Sequence, residues 1–229
     1  PLFAATRRSV PTIIHEQNAV MGRTNRMLAP RVTAIAGGFL KAAGPYQDKI
    51  VETGNPVRQA VLDVADTPYY TPEEGRRVRL LVFGGSQGAR FFSETIPEAI
   101  ALLPESLRRR LVLVQQARPE DEERVRARYE ELEIDAEVSS FFSDLPARMA
   151  AAHLVVSRSG ASTVLELSVI GRPALLVPLP HAVDDDQTHN ARLLVEAGGA
   201  ILKKQQDIEA ESPSAIFCVP LPSKASEKI

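Results

Sequence analysis

The stretch Leu80-Leu81-Val82-Phe83-Gly84-Gly85-Ser86-Gln87-Gly88-Ala89-Arg90 runs from an unbroken apolar segment directly into a glycine-rich turn. A strand buried on both faces reads as a continuous apolar run, and small residues after it mark the entry to a helix. The same order recurs in Val155-Val156-Ser157-Arg158-Ser159-Gly160-Ala161-Ser162-Thr163-Val164-Leu165-Glu166. Working outward, the apolar runs predict strands over 12–14, 32–36, 78–83, 111–115, 154–157 and 174–177, with a weaker one over 137–140. Apolar spacing of three and four predicts helices over 89–102, 121–132, 145–151, 162–169 and 186–196. Strands alternating with helices of this length specify an α/β fold, a parallel sheet covered by its crossover helices.

The 229 residues are 44% hydrophobic, enough to bury a core. Basic and acidic residues number 27 and 29, for a formal charge of -2, so no overall bias toward nucleic acid exists. The single cysteine, Cys218, excludes an internal disulfide framework and a cysteine-based zinc site. No apolar run approaches the roughly 18 to 20 residues that span a bilayer. The first residues, Pro1-Leu2-Phe3-Ala4-Ala5-Thr6-Arg7-Arg8, lack an initiating Met and the basic-then-apolar order of a signal peptide, so a fragment is expected.

Between positions 56 and 77 the character changes: Pro56, Pro68, Pro72, a Tyr69-Tyr70 pair and Glu73-Glu74-Gly75-Arg76-Arg77 precede the strong apolar run. This divides the chain into 1–58, the closing part of a Rossmann-like domain with too few strands to stand alone; 59–77, a linker; 78–211, a nearly complete second domain; and 212–229, an irregular tail. The missing half of the first domain is expected to precede Pro1.

Five segments carry polar groups where an open α/β sheet binds ligands, at the carboxyl ends of its strands. The Gly84–Ser86 turn suits a phosphate, since glycines admit an anion to the backbone and a helix start favours negative charge. Its spacing is neither G-x-G-x-x-G nor a P-loop, which disfavours NAD and ATP. In the second turn-and-helix, Arg158 either binds phosphate or pairs with an acid. Glu166 falls in the first two turns of its helix, where it either accepts hydrogen bonds from vicinal sugar hydroxyls or is a solvated residue favoured by the helix dipole.

The run Pro178-Leu179-Pro180-His181-Ala182-Val183-Asp184-Asp185-Asp186-Gln187-Thr188-His189-Asn190 is packed with hydrogen-bonding groups, and Asp186, Gln187 and Asn190 suit a pyranose. Its acidic triplet reads as helix capping rather than a metal site, and the histidines lack zinc spacing. The segment Ile13-Ile14-His15-Glu16-Gln17-Asn18 ends a strand in four polar residues, so His15 and Glu16 are candidate bases. Thr53-Gly54-Asn55-Pro56-Val57-Arg58 is a hinge-like turn with an arginine suited to phosphate.

Taken together and in order, these five motifs resemble glycosyltransferase family 28, over about residues 11–203. The resemblance implies the GT-B architecture of two Rossmann-like parallel-sheet domains, the first incomplete here. It implies an inverting, cofactor-free hexosyltransferase that moves N-acetylglucosamine from UDP-N-acetylglucosamine to the C4 hydroxyl of lipid I, forming lipid II in peptidoglycan synthesis. The enzyme would be peripheral, at the cytoplasmic face of the bacterial inner membrane. Carried over by position, Ser86 and the amides around Gly85 and Gln87 bind the diphosphate, with Arg58 assisting; Arg158 belongs to the donor site; Glu166 holds the ribose; the backbone of Phe142 meets the uracil; Asp186 and Gln187 read the sugar; and Asn18 reaches across from the first domain.

Three departures accompany the likeness, one being that after about Gln206 the family's closing helices are not legible and residues 212–229 do not look like the family. The family's first glycine-rich loop, with its candidate catalytic histidine, has no counterpart here, and Asp186 stands where relatives often carry a neutral residue, His or Gln. The chain alone is therefore expected to be weak or inactive. The competing readings are another GT-B UDP-sugar transferase, an epimerase of similar fold, or a noncatalytic UDP-binding fragment.

Overall fold

The structure, a computed structural model, describes residues 1–180 and 184–211, with the side chains of all of these except 86–89 and 209–211. In chain order, α1 (Leu2–Arg7), β1 (Ile13–Glu16), α2 (Arg23–Leu28), β2 (Ala34–Gly37), a 3₁₀ segment (Gly44–Lys49) and β3 (Ile50–Glu52) form the first part. The three strands make a parallel sheet in the order β1-β2-β3. Their small core joins Ile14, Leu28, Ala29, Val32, Ile35 and Ile50.

Next come α3 (Gln59–Leu62), β4 (Val78–Phe83), α4 (Gly85–Ala101), α5 (Glu105–Arg108), β5 (Leu111–Gln116), α6 (Pro119–Glu131) and β6 (Asp135–Ser139). They are followed by α7 (Leu145–Ala151), β7 (Leu154–Ser157), α8 (Ala161–Ile170), β8 (Ala174–Leu176), α9 (Asp186–Glu196), β9 (Ala200–Leu202) and α10 (Gln205–Glu211). The six strands form one sheet in the order β6-β5-β4-β7-β8-β9, every pair parallel.

Alternation along β4 divides the core between two layers, as strand geometry requires. Leu80 and Val82 point to a cluster with Phe92, Ile96 and Ile100 of α4 and with Val125 and Tyr129 of α6. Leu81 and Phe83 point the other way, to Met149, Leu167 and Leu176. Burying both faces is why β4, β7 and β8 read as near-continuous apolar runs. Helix α6 shows the complementary pattern: Asp121, Val125 and Tyr129, four apart, are its buried stripe in an otherwise charged sequence.

The expected 137–140 strand is β6 and begins two residues earlier. Strands β3 and β9 and helices α1, α3, α5 and α10 were not expected from sequence. The segment read as a linker is partly docked: Val61 of α3 is fully buried against the second core, Arg172 donates to the carbonyls of Thr67 (2.9 Å) and Pro68 (3.2 Å), and the Tyr69 hydroxyl donates to the His153 carbonyl (3.2 Å). The tail over 212–229 lies outside the described residues.

Candidate functional site

In the order β6-β5-β4-β7-β8-β9 the chain moves outward in one direction from β4 and then in the other from β7. The strand order therefore reverses between β4 and β7, and at such a switch point the loops leaving the two strands diverge and open a crevice at their carboxyl ends. A cleft of ≈ 480 Å³ lies there, lined by Gly84 and Gly85 after β4, Arg158 and Gly160 after β7, Glu166 of α8, and Gln187 of α9. Pro56, Val57 and Arg58 close it from the side of the first sheet.

Two helices begin at this cleft, α4 and α8, with Gly84 and Gly160 as N-caps, neither of which makes a side-chain capping bond, and α9 reaches it through Gln187. The first amides of a helix have no partner within it, so those not bonded elsewhere, and the positive dipole end, are available to an anion. Gly85 adopts φ +63°, a left-handed conformation that a side chain would strain, although a Cβ there would meet nothing within 4 Å. Its amide donates to Gln116 Oε1 (3.1 Å), and Gln116 Nε2 donates to the Ser140 carbonyl (3.2 Å), which sets the turn against the end of β5. Gln116 is a cleft residue that sequence reading missed; its signal was a polar residue just past an apolar strand, beside the switch point.

Arg58 and Glu166 meet in a bidentate pair, Nε to Oε1 and Nη2 to Oε2, both 2.8 Å. The carboxylate side is 8% exposed and the guanidinium side 60%, so a buried acceptor is covered by a cation open to solvent. Sequence reading gave these residues to ribose and to diphosphate separately; here each is the other's partner. Planar guanidinium and carboxylate make strong paired hydrogen bonds, and phosphate oxygens offer a guanidinium the same geometry.

Arg158 lines the cleft but is itself buried. It donates to the carbonyls of Val177 (3.1 Å) and Pro178 (3.0 Å) and to Gln205 Oε1 (2.7 Å), with its guanidinium 5.1 Å from each of the Phe91 and Phe92 rings. These bonds fix the loop after β8 beneath the cleft. Gln187 accepts from the amides of Ser159 (3.3 Å) and Leu179 (2.9 Å) through Oε1, which leaves Nε2 as the group it can offer a ligand. Asp186 sits in the first turn of α9 away from the cleft lining, so direct sugar reading by its side chain is not supported.

Phe142 is buried beneath Arg148, whose guanidinium lies 4.3 Å from its ring, and only its backbone remains for a base. Ser86 and Gln87 fall in the first turn of α4, but their side chains are not among those described. His181 also lies outside the described residues.

The two candidate bases are both engaged. Buried Glu16 accepts from the amides of Asn18 (3.1 Å) and Gly22 (2.9 Å) and from the side chains of Asn18 (3.1 Å) and Asn25 (2.8 Å), so it organises the loop after β1. Gln17 Nε2 lies 3.1 Å from His15 Nδ1; donating to that nitrogen, it would leave the neutral ring's proton on Nε2. Neither residue presents a free lone pair as it stands, which argues against both as the base. Asn18 does reach the opposite domain, where its Oδ1 accepts from Asn190 Nδ2 at 2.9 Å. Asn190, fully buried, cannot touch a sugar as the sequence suggested. Among the described residues no group of histidine, cysteine, aspartate and glutamate side chains is arranged to hold a metal, and no helix is long and apolar enough to cross a membrane.

Two sequence profiles match this chain: the glycosyltransferase family 28 C-terminal domain over residues 79–214, and the glycosyltransferase family 28 N-terminal domain over 1–37. A relative from Chelativorans sp. (strain BNC1), named UDP-N-acetylglucosamine–N-acetylmuramyl-(pentapeptide) pyrophosphoryl-undecaprenol N-acetylglucosamine transferase, is 64% identical over 213 residues, 92% of this chain and 56% of the relative. A protein of the same name from Brucella abortus (strain S19) is 59% identical over 212 residues, again 92% of this chain and 56% of the relative. The chain thus spans about half the length of the curated relatives it matches. Among solved structures, Acinetobacter baumannii MurG superposes with a TM-score of 0.72 at 30% identity, covering 94% of this chain and 59% of that one. Staphylococcus aureus MnaA with UDP shares the fold alone, with a TM-score of 0.56 at 15% identity over 91% of this chain and 60% of that one. By its matching profiles and its relatives, the chain belongs to glycosyltransferase family 28.

Proposed function

We propose that this chain carries the donor site of an inverting transferase that moves N-acetylglucosamine from UDP-N-acetylglucosamine to the C4 hydroxyl of a lipid-linked muramoyl acceptor, lipid I, giving lipid II. The observation that carries the reading is the cleft at the β4/β7 switch point, which is lined by the starts of α4 and α8, by Gln187 of α9 and by the Arg58–Glu166 pair. A nucleoside diphosphate fits both halves of that arrangement. Its ribose diol can donate to Glu166, and its diphosphate can accept from Arg58 and from the helix amides. Binding then exchanges one anionic partner of Arg58 for another, so the guanidinium is never left without a counter-charge.

The same groups serve the chemistry. Inversion leaves UDP carrying the negative charge of the broken glycosidic bond, and donors already aimed at the diphosphate stabilise that charge as it develops. Gln187 Nε2 offers one hydrogen bond to the sugar, from a side chain whose Oε1 is fixed by two backbone amides. Because the acceptor is a lipid, the enzyme works as a peripheral protein at the cytoplasmic face of the bacterial inner membrane.

Calorimetric titration of the chain with UDP-N-acetylglucosamine and with UDP-glucose tests the donor assignment. Tighter binding of the former is expected, and Gln187→Glu should abolish the difference while retaining the acceptor for Ser159 and Leu179. Equal affinity for the two donors in the wild-type chain would refute sugar reading by Gln187. Transfer of labelled N-acetylglucosamine to lipid I by a protein of the relatives' full length, with little or none by the 229-residue chain, tests the reaction itself.

A further inference from the structure

Asn190 is fully buried, does not line the cleft, and uses its whole amide. Its Oδ1 accepts from the Ala19 amide (2.9 Å), and its Nδ2 donates to Asn18 Oδ1 (2.9 Å) and to the Ser159 carbonyl (3.3 Å). Two of these partners lie in the loop after β1, on the first sheet. The third lies in the loop after β7, on the second. Asn18 and Ala19 are 172 and 171 residues away in sequence, so this one side chain joins the two halves of the fold.

Ser159 is held from both sides by α9. Gln187 accepts from its amide and Asn190, one turn later, donates to its carbonyl. The sugar-facing glutamine therefore meets the loop leading into α8 at one residue, Ser159, and Asn190 joins that residue to the loop after β1. On its far side the Asn18 amide and side chain bind Glu16, which in turn binds Gly22 and Asn25. A chain of hydrogen bonds thus runs from the donor cleft to the sheet whose strand ends face it.

We infer that Asn190 is a positioning residue: it sets the loop after β1 relative to the donor loop, so that the donor half and the acceptor half of the site keep the alignment the transfer requires. The inference rests on the transferase reading and adds to it a residue that touches neither substrate. An asparagine suits the role because it supplies two donors and an acceptor in one plane. Aspartate has the same shape and keeps the acceptor, but sets a carboxylate against Asn18 Oδ1 and the Ser159 carbonyl.

Three measurements test the inference. In the chain, Asn190→Ala should speed exchange of the Ala19 amide by about tenfold, since that donor loses its buried partner. UDP affinity should stay within about threefold of wild type, because the substituted residue lies outside the cleft. In the full-length enzyme, Asn190→Asp and Asn190→Ala should lower kcat by about 100-fold, the effect of misplacing reacting groups by about an ångström. The Asn18→Ala/Asn190→Ala double variant should be no slower than the worse single variant, as expected for residues acting through one contact. Unchanged Ala19 exchange, UDP affinity falling in step with kcat, or additive losses in the double variant would overturn the inference. If wild-type full-length protein binds UDP but transfers nothing, the transferase reading fails by itself, and the exchange and affinity measurements still decide whether Asn190 joins the two loops.

Discussion

At the carboxyl ends of the six-stranded sheet, Arg58 reaches in from outside and holds one carboxylate, with 60% of its side chain exposed. At the amino ends, Arg172 is 4% exposed and donates to the carbonyls of Ala150, Ile170, Thr67 and Pro68, while its guanidinium lies 5.6 Å from the Tyr69 ring. Both are arginines at the edge of one sheet, but their partners differ in kind. A carboxylate on a cleft wall is a partner that a phosphate can replace, whereas backbone carbonyls are fixed by the fold. The cleft end therefore keeps exchangeable bonds, and the opposite end uses the same residue type to dock the 59–70 segment onto the second domain.

The comparison breaks most visibly at Arg172. Arg172→Met should lower stability by about 3 kcal/mol, because several buried carbonyls lose their donor at once. Denaturant unfolding reads the loss, and the folded fraction should still bind UDP with wild-type affinity. A smaller effect is expected at Gly85, whose φ of +63° disfavours any side chain. Gly85→Ala should cost about 1 kcal/mol and weaken UDP binding, with no clash to relieve. The smallest concerns His153, at the amino end. Burial, followed by the charges of Arg79 and Arg172, holds its pKa below the usual 6.5, and its Nδ1 accepts from the Arg79 amide at 2.9 Å. The folded protein thus resists a proton that the unfolded chain accepts, so stability should fall as pH drops below about 6.5. In His153→Gln, which keeps an acceptor but does not titrate, melting curves at pH 7 and pH 5 should show a weaker drop.

How much of this could be read from the chain depends on what each residue's signal reports. Strands β4 and β7 were legible because both faces are buried, which writes an apolar residue at nearly every position. Strands β3 and β9 were not: each has three residues, and only Ile50 and Ala200 of them are buried. Helix α1 buries nothing, so its formation leaves no apolar stripe to detect. For the site, the glycine turns after β4 and β7 that the sequence singled out line the cleft. Partners were another matter. Arg58 and Glu166 are 108 residues apart, and nothing local reports that they meet. Asn190 carries a polar side chain typical of a ligand site, yet the fold turns it inward to hold loops, and Arg158 spends hydrogen bonds on the loop after β8 while lining the cleft. Glu16 likewise reads as a base and acts as the centre of a turn.

The central claim is that the cleft between β4 and β7 is a nucleoside-diphosphate site whose ribose partner is Glu166. Titrating UDP into the wild-type chain and into Glu166→Ala by calorimetry tests it most directly. One-to-one binding is predicted for the wild type, weakened by about 10- to 100-fold in the variant, the worth of hydrogen bonds to a charged group, with the melting temperature little changed. Equal UDP affinity in the two proteins, or no binding to a folded wild-type chain, would contradict it.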